Sequence, residues 1–400
     1  MAPSNNDLDV VIYGATGYTG RLVAEFMSKQ YGAGGDVRWA MAGRSREKLE
    51  AVRDEIGAPA ETPLVVADAN DAEALTAMVE STKVVCTTVG PYQLYGEPLV
   101  AACAEAGTGY VDLCGEPAWM ADMIARYHER ARETGSRIVF SCGFDSIPFD
   151  LGVFFLQERA KEELGGPVSR VKGRVRAMQG KFSGGTAASL AATMAAAGKD
   201  PSVRAVLQDF FALTPGFDGP PQPDGMEPAE DTALGAWVAP FIMAPINTRN
   251  IHRSNFLMGH PYGEDFVYDE MMVVGPGERG EKAAKALANT SPLGGDTPKP
   301  GEGPTKAERE AGHYDVLFIG EVQDTSNKSQ SSRDSIRVAV KGDLDPGYGS
   351  TSKMIAEAAV CLAKDEGVTA GGIYTPAAAF GSALIGRLRE HAGLIFERED

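Results

Sequence analysis

Three evenly spaced glycines restrict the fold of this chain more than any other feature. They follow the apolar run LDVVIY directly and precede an amphipathic stretch with helical spacing. There Gly14 would allow a tight strand-to-helix turn, Gly17 a close approach of phosphate to the backbone, and Gly20 close packing of the helix on the sheet. The GxxGxxG spacing departs from the commoner GxGxxG, and a plain turn is the alternative. The predicted dinucleotide-binding loop comprises Gly14, Thr16, Gly17, Tyr18, Thr19 and Gly20.

Short apolar runs alternate with helical patterns over the first 150 residues. Each run is almost continuously apolar, as is typical of strands that are covered on both faces, so the pattern predicts βαβ units around a parallel sheet. We therefore predict an α/β fold whose N-terminal domain, residues 1–150, is a Rossmann-type doubly wound sheet. The predicted strands cover residues 10–13, 37–42, 64–67, 84–89, 110–113 and 137–141.

A different pattern follows residue 150. Longer, more alternating strands at 168–178, 265–274, 313–323 and 335–341 predict a second α+β domain, residues 151–345, on a mixed or antiparallel sheet. Residues 346–400 are predicted to be a helical segment that packs back on the first domain. The stretches 214–232 and 291–309 are rich in proline, glycine and acidic residues, so we interpret them as mobile loops or lids.

The end of the predicted second strand indicates which dinucleotide binds. NAD-specific folds usually place an acidic residue there to hold the ribose 2′-hydroxyl, whereas this chain has Arg44 followed by Ser45. A guanidinium offers a planar pair of N–H groups to phosphate oxygens, so Arg44 is predicted to bind a 2′-phosphate, with Ser45 as a further donor. NADP(H) is therefore the predicted cofactor. The alternative is an arginine that is simply solvated at a strand end.

Other residues at the carboxyl ends of predicted strands should face the same cleft. Asp68 follows the third strand, where its carboxylate would either reach the adenine or cap the next helix. Thr88, Gly90 and Pro91 end the fourth strand and are predicted to run beside the nicotinamide ribose. A role in forming the turn is the alternative for these residues.

Composition excludes several kinds of partner. The 400 residues carry 38 basic and 55 acidic side chains, and a net charge of −17 would repel nucleic acids. Five cysteines without a CxxC pair and five histidines without a ligand pattern argue against a metal site. The first residues lack a signal-peptide pattern, and no apolar run reaches about 18 residues, so we expect a cytoplasmic protein that can still touch a membrane surface.

A small polar segment precedes an alanine-rich helical pattern in the second domain. It consists of Ser183, Gly184, Gly185 and Thr186. Two hydroxyls and the free N–H groups of a helix N-terminus would hold an oxygen-rich part of the substrate, such as a carboxylate, phosphate or thioester. A simple helix cap is an equally good interpretation of this segment.

Eight motifs spread over nearly the whole chain carry a family resemblance. They are GATGYTG, AGRS, TTVGPY, CGFDSIPFDLG, SGGTAAS, APINTRNIHRSN, GDLDPGYGSTSKM and GGIYTPAAAFG. The chain resembles the saccharopine dehydrogenase-like family, and closely its trans-acting enoyl reductase subfamily. The resemblance implies an NADP-binding Rossmann domain and a central substrate domain that is often used for dimerisation, hence a homodimer. Saccharopine reductases have a histidine where this chain has Leu151, so saccharopine itself is not the expected substrate.

The predicted cofactor and the resemblance together imply reduction of an enoyl or related activated double bond in a lipid or acyl thioester. Such a reaction needs a donor for the developing enolate and a proton source, for which Tyr92, Asp145 and Tyr348 are the catalytic candidates. One alternative is a saccharopine-type imine or amino-acid oxidoreductase, for which Arg249 and Arg253 offer few basic groups. Another is a cofactor-bound, lipid-associated scaffold without turnover.

Overall fold

Two seven-stranded sheets with helices packed around them make up the described part of the molecule. The computed structural model describes residues 8–181, 184–290, 301–322, 335–364, 367 and 370–400. In chain order the strands are β1 (Leu8–Tyr13), β2 (Trp39–Gly43), β3 (Leu64–Val66), β4 (Thr82–Thr87), β5 (Gly109–Val111), β6 (Arg137–Val139), β7 (Arg170–Gln179), β8 (Ala229–Asp231), β9 (Ala236–Pro240), β10 (Val267–Gly275), β11 (His313–Glu321), β12 (Ser335–Gly342), β13 (Gly372–Tyr374) and β14 (Ile395–Glu399).

The helices surround both sheets. They are α1 (Tyr18–Tyr31), α2 (Arg46–Glu55), α3 (Ala72–Glu80), α4 (Tyr92–Tyr95), α5 (Glu97–Ala106), α6 (Pro117–Thr134), α7 (Ile147–Leu164), α8 (Gly184–Lys199), α9 (Pro201–Gln208), α10 (Ala244–Leu257), α11 (Gly277–Ala288), α12 (Lys306–Glu310), α13 (Thr351–Ala363) and α14 (Pro376–Arg387). Two π-helical turns, Pro346–Ser350 and Leu388–Ala392, precede α13 and follow α14.

The first sheet confirms the predicted doubly wound architecture. Its order is β13-β6-β5-β4-β1-β2-β3, and its described strand pairs are parallel. The chain crosses from β3 past β1 to β4, so the strand order reverses between β1 and β4 and a crevice opens at their carboxyl ends. All six predicted strands are present. A seventh, β13, comes from much later in the chain and is only three residues long.

The second sheet is mixed, as the alternating strands predicted. Its order is β14-β12-β11-β7-β10-β9-β8, with β7 and β10 parallel and the other neighbours antiparallel. The four predicted strands correspond to β7, β10, β11 and β12. Sequence reasoning did not find β8, β9 or β14, and β8 lies inside the 214–232 stretch that was expected to be a loop. Residues 291–300 of the other expected loop lie outside the described residues, and α12 occupies 306–310.

The chain passes between the two sheets more than once. From the end of β6, α7 crosses to pack against β11 and β12. The boundary predicted at residue 150 falls inside α7. This helix is apolar enough to be buried on most sides, so it connects the two sheets. Later, α13 packs against β1, β4 and β5, β13 joins the first sheet, and β14 joins the second. The C-terminal segment thus contributes strands to both sheets as well as helices.

The helix α10 is polar yet buried from residue 246 to residue 255. The amide of Asn250 donates to the hydroxyl oxygen of Ser146 at 2.8 Å, and the hydroxyl of Ser254 donates to the Asp150 carboxylate at 2.8 Å. Both bonds reach the segment where β6 passes into α7. Buried polar groups persist because they are hydrogen-bonded in this way, and they fix α10 against the first domain.

Two arginines of α10 bind backbone instead of carboxylates. Arg253 donates to the carbonyl oxygens of Leu213 and Ile373, the latter in β13, and burial lowers its pKa to about 9. Arg249 donates to carbonyl oxygens at the end of α9. The apolar side chains of Phe241, Ile246 and Ile251, before and within this helix, are buried in the core. Across the described residues, no helix is both long and apolar enough to cross a membrane.

Buried Asp150 should make stability depend on pH. Burial raises the pKa of Asp150 from its ordinary value of 3.8 to about 7. The native state therefore binds this proton more tightly than the unfolded chain, and stability falls as pH rises from about 4 to 7. The change Asp150→Asn should flatten this dependence by up to about 1.4 kcal/mol per pH unit. Denaturant unfolding at half-unit pH steps measures the slope, and an unchanged slope would contradict the raised pKa.

Candidate cofactor and substrate site

The glycine loop joins β1 to α1 through close backbone contacts. Gly14 has φ = 90°, a left-handed conformation that favours glycine, and its N–H donates to the Ala42 carbonyl oxygen at 3.0 Å. A β-carbon on Gly20 would lie 2.1 Å from the Gly14 carbonyl oxygen and 2.8 Å from Oγ1 of Thr88. Only glycine therefore lets α1 start so close to the strand, while Thr88 supports the loop from behind.

The N-terminus of α1 offers hydrogen-bond donors to an anion. Its N-cap, Gly17, is exposed and provides no side-chain cap, and no acidic residue lies in the first turn. The backbone N–H groups of Tyr18 and Thr19 therefore lack a capping side chain. This open helix end, with the helix dipole behind it, fits the diphosphate of a dinucleotide.

Arg44 lies beside this loop at the end of β2. A β-carbon on Gly43 would be 3.7 Å from the Thr16 side chain, so the strand end and the loop are adjacent. The Arg44 side chain is exposed, and within the described ranges no carboxylate pairs with it. Ser45 accepts the N–H of Lys48 at 3.3 Å as the N-cap of α2, which leaves its own O–H able to donate.

Asp68 forms a turn instead of capping a helix. Its Oδ1 accepts the backbone and side-chain N–H groups of Asn70 at 2.9 and 3.0 Å. These bonds, together with the positive charge of Arg44, hold the pKa of Asp68 below its ordinary value. The cap of α3 is Asp71. Asp68 therefore stays on the Arg44 side of the crevice, where the adenosine end of a dinucleotide would lie.

The loop after β4 faces the second domain. A β-carbon on Gly90 would lie 3.8 Å from the hydroxyl oxygen of Ser189 in α8, and Pro91 is the N-cap of α4. Tyr92 turns inward: its hydroxyl oxygen accepts the Leu113 N–H at 3.0 Å, and burial raises its pKa well above the ordinary value. The structure therefore places Tyr92 in the first sheet's core, away from the other catalytic candidates.

Glu116, which is not among the predicted site residues, holds the loop after β4. Its two carboxylate oxygens accept the backbone N–H groups of Tyr92 and Gln93 at 2.9 and 2.8 Å. It thereby caps α4 from the neighbouring strand end and fixes the loop after β4. Its side chain is buried, so it is a structural carboxylate.

A cavity of about 170 Å³ lies between the two sheets at the start of α1. Thr19 and Asp145 line it from the first domain, and Thr186 and Tyr348 line it from the opposite side. Two of the three predicted catalytic residues are thus brought together with one predicted cofactor residue and one predicted substrate residue. The apolar walls are Leu113, Phe144, Met178, Ile242, Met243 and Pro346.

One residue of the predicted substrate segment, Thr186, lines this cavity. α8 begins at the buried Gly184, whose N–H donates to the Glu302 carbonyl oxygen at 3.2 Å, and Gly185 is exposed. Oγ1 of Thr186 lies 2.8 Å from the hydroxyl oxygen of Tyr348. Ser183 lies outside the described residues.

The cavity combines a proton source with hydroxyl donors. Burial raises the pKa of Asp145 to about 6, and its carboxylate packs against Gly115, where a β-carbon would lie 3.3 Å from Oδ2. The Tyr348 ring packs edge-on against Tyr18 with centroids 5.2 Å apart. An acid and a paired phenol and alcohol in a mostly apolar cavity can supply a proton and donate hydrogen bonds to a carbonyl oxygen.

Sequence reasoning missed the residues that hold this cavity together. Oγ1 of Thr351 accepts the Phe144 N–H at 2.9 Å and donates to the Pro346 carbonyl oxygen at 2.7 Å, which fixes the loop that carries Asp145. The first bond spans 207 positions, and no local pattern signals it. In the part of the chain that the structure describes, no group of three or more His, Cys, Asp or Glu side chains could hold a metal ion.

Comparisons with known proteins identify the family. Residues 10–139 match the saccharopine dehydrogenase NADP binding domain. The trans-acting enoyl reductases of Mycobacterium tuberculosis and Mycobacterium ulcerans are 38% and 37% identical over 417 residues, covering 97% of each chain. This chain belongs to the saccharopine dehydrogenase-like family, in its trans-acting enoyl reductase subfamily. A second M. tuberculosis protein, provisionally given the same name, is 41% identical with the same coverage.

Membership of the saccharopine dehydrogenase-like family agrees with the fold and the cofactor. Apo saccharopine dehydrogenase (L-Glu forming) from Saccharomyces cerevisiae shares the fold over 99% of both chains, with a TM-score of 0.52 and 11% sequence identity. The matched domain is an NADP-binding domain, which confirms the predicted cofactor. The trans-acting enoyl reductase subfamily thus places this chain among NADP-dependent oxidoreductases, as predicted.

Two glycines of the loop should respond differently to valine. At Gly17 the backbone is extended and the nearest heavy atom to a β-carbon is 3.3 Å away, so Gly17→Val should fold. Its side chain would nevertheless stand where the diphosphate approaches, and NADPH affinity should fall at least about tenfold. Gly20→Val should fail to fold, because its β-carbon would overlap the backbone. Thermal unfolding and NADPH fluorescence titration test both; unchanged affinity in Gly17→Val would place the phosphates elsewhere.

Arg44 should set the preference for NADPH over NADH. Its replacement by alanine should cost NADPH roughly 1.5–3 kcal/mol of binding free energy, the range for a charge-assisted hydrogen bond, and leave NADH nearly unchanged. Arg46→Ala is the matched control, since Arg46 is exposed two residues later and pairs with Glu50 at 3.8 Å. Titrations with both cofactors measure the difference, and equal losses for the two would refute the assignment.

Proposed function

We propose that this protein is an NADPH-dependent reductase of an enoyl or related activated double bond in a lipid or acyl-thioester substrate. The observation that carries the proposal is the cavity at the start of α1, which is lined by Asp145, Thr186 and Tyr348. Its largely apolar wall suits a hydrocarbon next to a carbonyl group, and the names of the curated relatives point to the same class of reaction.

Each polar group of the cavity has a role in this proposal. Bound NADPH supplies a hydride to the β-carbon. The hydroxyl of Tyr348, held beside Oγ1 of Thr186, donates a hydrogen bond to the substrate carbonyl oxygen and stabilises the negative charge that develops there. Asp145 holds a proton because burial raises its pKa, and it delivers that proton to the α-carbon. We assign Tyr92 no step, since its hydroxyl binds backbone in the first sheet.

The small number of basic side chains at the cavity disfavours the imine or amino-acid alternative. A substrate with several carboxylates calls for several basic groups, yet Lys181 is the one cation among the cavity-lining residues within the described ranges. Lys181 also pairs with Glu308. Arg249 and Arg253, the basic candidates from the sequence, bind backbone carbonyl oxygens instead.

The proposal is tested by NADPH oxidation with 2-enoyl thioesters of different chain lengths, against 2-oxo acids mixed with amines. We expect turnover with the thioesters only. Tyr348→Phe should lower kcat roughly 10²-fold, the size of effect of one removed oxyanion donor, while NADPH affinity stays constant. Tyr314→Phe is the control, because Tyr314 is also buried and bonds Ser350 at 3.0 Å without lining the cavity. Turnover with the oxo-acid mixture alone would refute the proposal.

The pH dependence gives a second measurement on the same assay. If Asp145 must carry a proton, kcat should decline as pH rises through about 6. In Asp145→Asn, kcat should be lower and should lose that decline. A decline that persists unchanged in this variant would assign the proton to another group.

A homodimer through the second domain, contact with a membrane surface and a cytoplasmic location remain predictions. Analytical ultracentrifugation tests the first, co-sedimentation with lipid vesicles the second, and cell fractionation the third.

A further inference from the structure

A short segment of the second domain lies across the start of α1. We call residues 301–312 the strap. A β-carbon on Gly303 would lie 2.6 Å from the Tyr18 ring, so glycine lets the strap rest directly on that ring. The Tyr18 hydroxyl donates to the Pro304 carbonyl oxygen, and the Glu302 carbonyl oxygen accepts the Gly184 N–H at 3.2 Å. The strap thus contacts both the glycine loop and the first turn of α8.

The strap carries a cation to this place. Nη1 of Arg309 donates to the hydroxyl oxygen of Tyr18 at 2.8 Å and to the Pro304 carbonyl oxygen at 2.9 Å. The guanidinium lies 5.8 Å from the centroid of the Tyr18 ring. The backbone of Arg309 is fixed too, because its carbonyl oxygen accepts the Asp345 N–H at 2.9 Å. Arg309 is therefore held next to the residue that opens the diphosphate-binding helix.

One edge of this guanidinium is available. Nε and Nη2, which together form the fork that binds two phosphate oxygens, have no hydrogen-bond acceptor within the described ranges of the chain. The nearby Asp345 carboxylate is engaged by the N–H groups of Tyr348 and Gly349 at 3.0 and 2.8 Å. Among the described residues it forms no ion pair with Arg309, although the two charges attract each other.

The glycine loop itself supplies no such charge. It contains no basic residue, and Arg21, the first one after it, pairs with Glu55 at 2.8 Å. A diphosphate carries two negative charges, and the chain has a net charge of −17, so its overall field opposes binding. Backbone N–H groups and the helix dipole supply only partial charges.

We propose that Arg309, supplied by the second domain, is a cofactor-binding residue that pairs with the NADP diphosphate at the start of α1. The inference uses the NADP-binding assignment and does not depend on the proposed reaction. It also divides the cofactor's phosphates between the domains: Arg44 of the first domain serves the 2′-phosphate, and Arg309 of the second serves the diphosphate. Tyr18, predicted from the sequence to bind the cofactor, holds Arg309 together with the Pro304 carbonyl oxygen.

The test compares two ligands by titration. NADPH contains both phosphate groups, whereas adenosine 2′-monophosphate contains the 2′-phosphate and no diphosphate. Arg309→Met should lower NADPH affinity about ten- to hundredfold, the effect of one charge-assisted pair, and leave adenosine 2′-monophosphate affinity unchanged. Retained binding of the smaller ligand also shows that the variant is folded. Arg309→Lys should recover part of the NADPH affinity, because it restores the charge without the fork.

Further variants decide whether the contact is direct. Lys306→Met is the matched control, since Lys306 lies on the same helix, is exposed and pairs with Glu310 at 3.7 Å; its NADPH affinity should equal that of the parent. Tyr18→Phe removes one of the two groups that hold Nη1 of Arg309 and should lower NADPH affinity less than Arg309→Met does, because the Pro304 carbonyl oxygen still holds that nitrogen. Arg309→Met made in the Tyr18→Phe background should therefore lower the affinity further. If Arg309→Met costs no further affinity in the Tyr18→Phe background, the proposal is overturned, because Arg309 would then act only through its bond to Tyr18. Equal losses of both ligands in Arg309→Met would overturn it as well.

Discussion

The contact between Gly20 and the carbonyl oxygen of Gly14 determines where everything else at the site can stand. Because Gly20 has no side chain, the first turn of α1 packs on the Gly14 carbonyl oxygen, which a β-carbon would approach to 2.1 Å. The helix can therefore start close to the end of β1, and its first N–H groups stay open to the crevice. The same start places Tyr18 against Tyr348 and Thr19 in the cavity wall. A single backbone approach therefore aligns the phosphate site of one domain with the cavity that both domains share.

The second constraint is electrostatic. It comes from charged side chains that are buried away from water when the protein folds. The buried Arg253 is matched by two backbone carbonyl oxygens, and the Asp150 carboxylate by Ser254 and the Ala377 N–H at 2.7 Å. Bonds of this kind add little net stability, because desolvation offsets most of the gain, but each is costly to break. They therefore favour one relative position of α10, α7 and the C-terminal segment. The shape of the cavity depends on that position.

The sequence predicted those features whose signals are local. Gly14, Gly17 and Gly20 define the loop by spacing alone, and the continuous apolar runs define the strands of the first sheet. Tyr92 shows the limit of such reasoning: its place at a strand end is local information, whereas the inward turn of its ring depends on the N–H of Leu113, which follows β5. Arg309 is the opposite case, since its partner Tyr18 is 291 positions away and nothing near it in the sequence distinguishes it from any exposed arginine.

β13 and β14 are edge strands of the two different sheets, and both come from residues 372–399. During synthesis, the edges of β6 and β12 that pair with β13 and β14 therefore stay unpaired until residues 372–399 have left the ribosome. Unpaired sheet edges invite pairing with other chains. Both sheets consequently gain their last strand from the same short stretch of chain, so neither is complete well before the other.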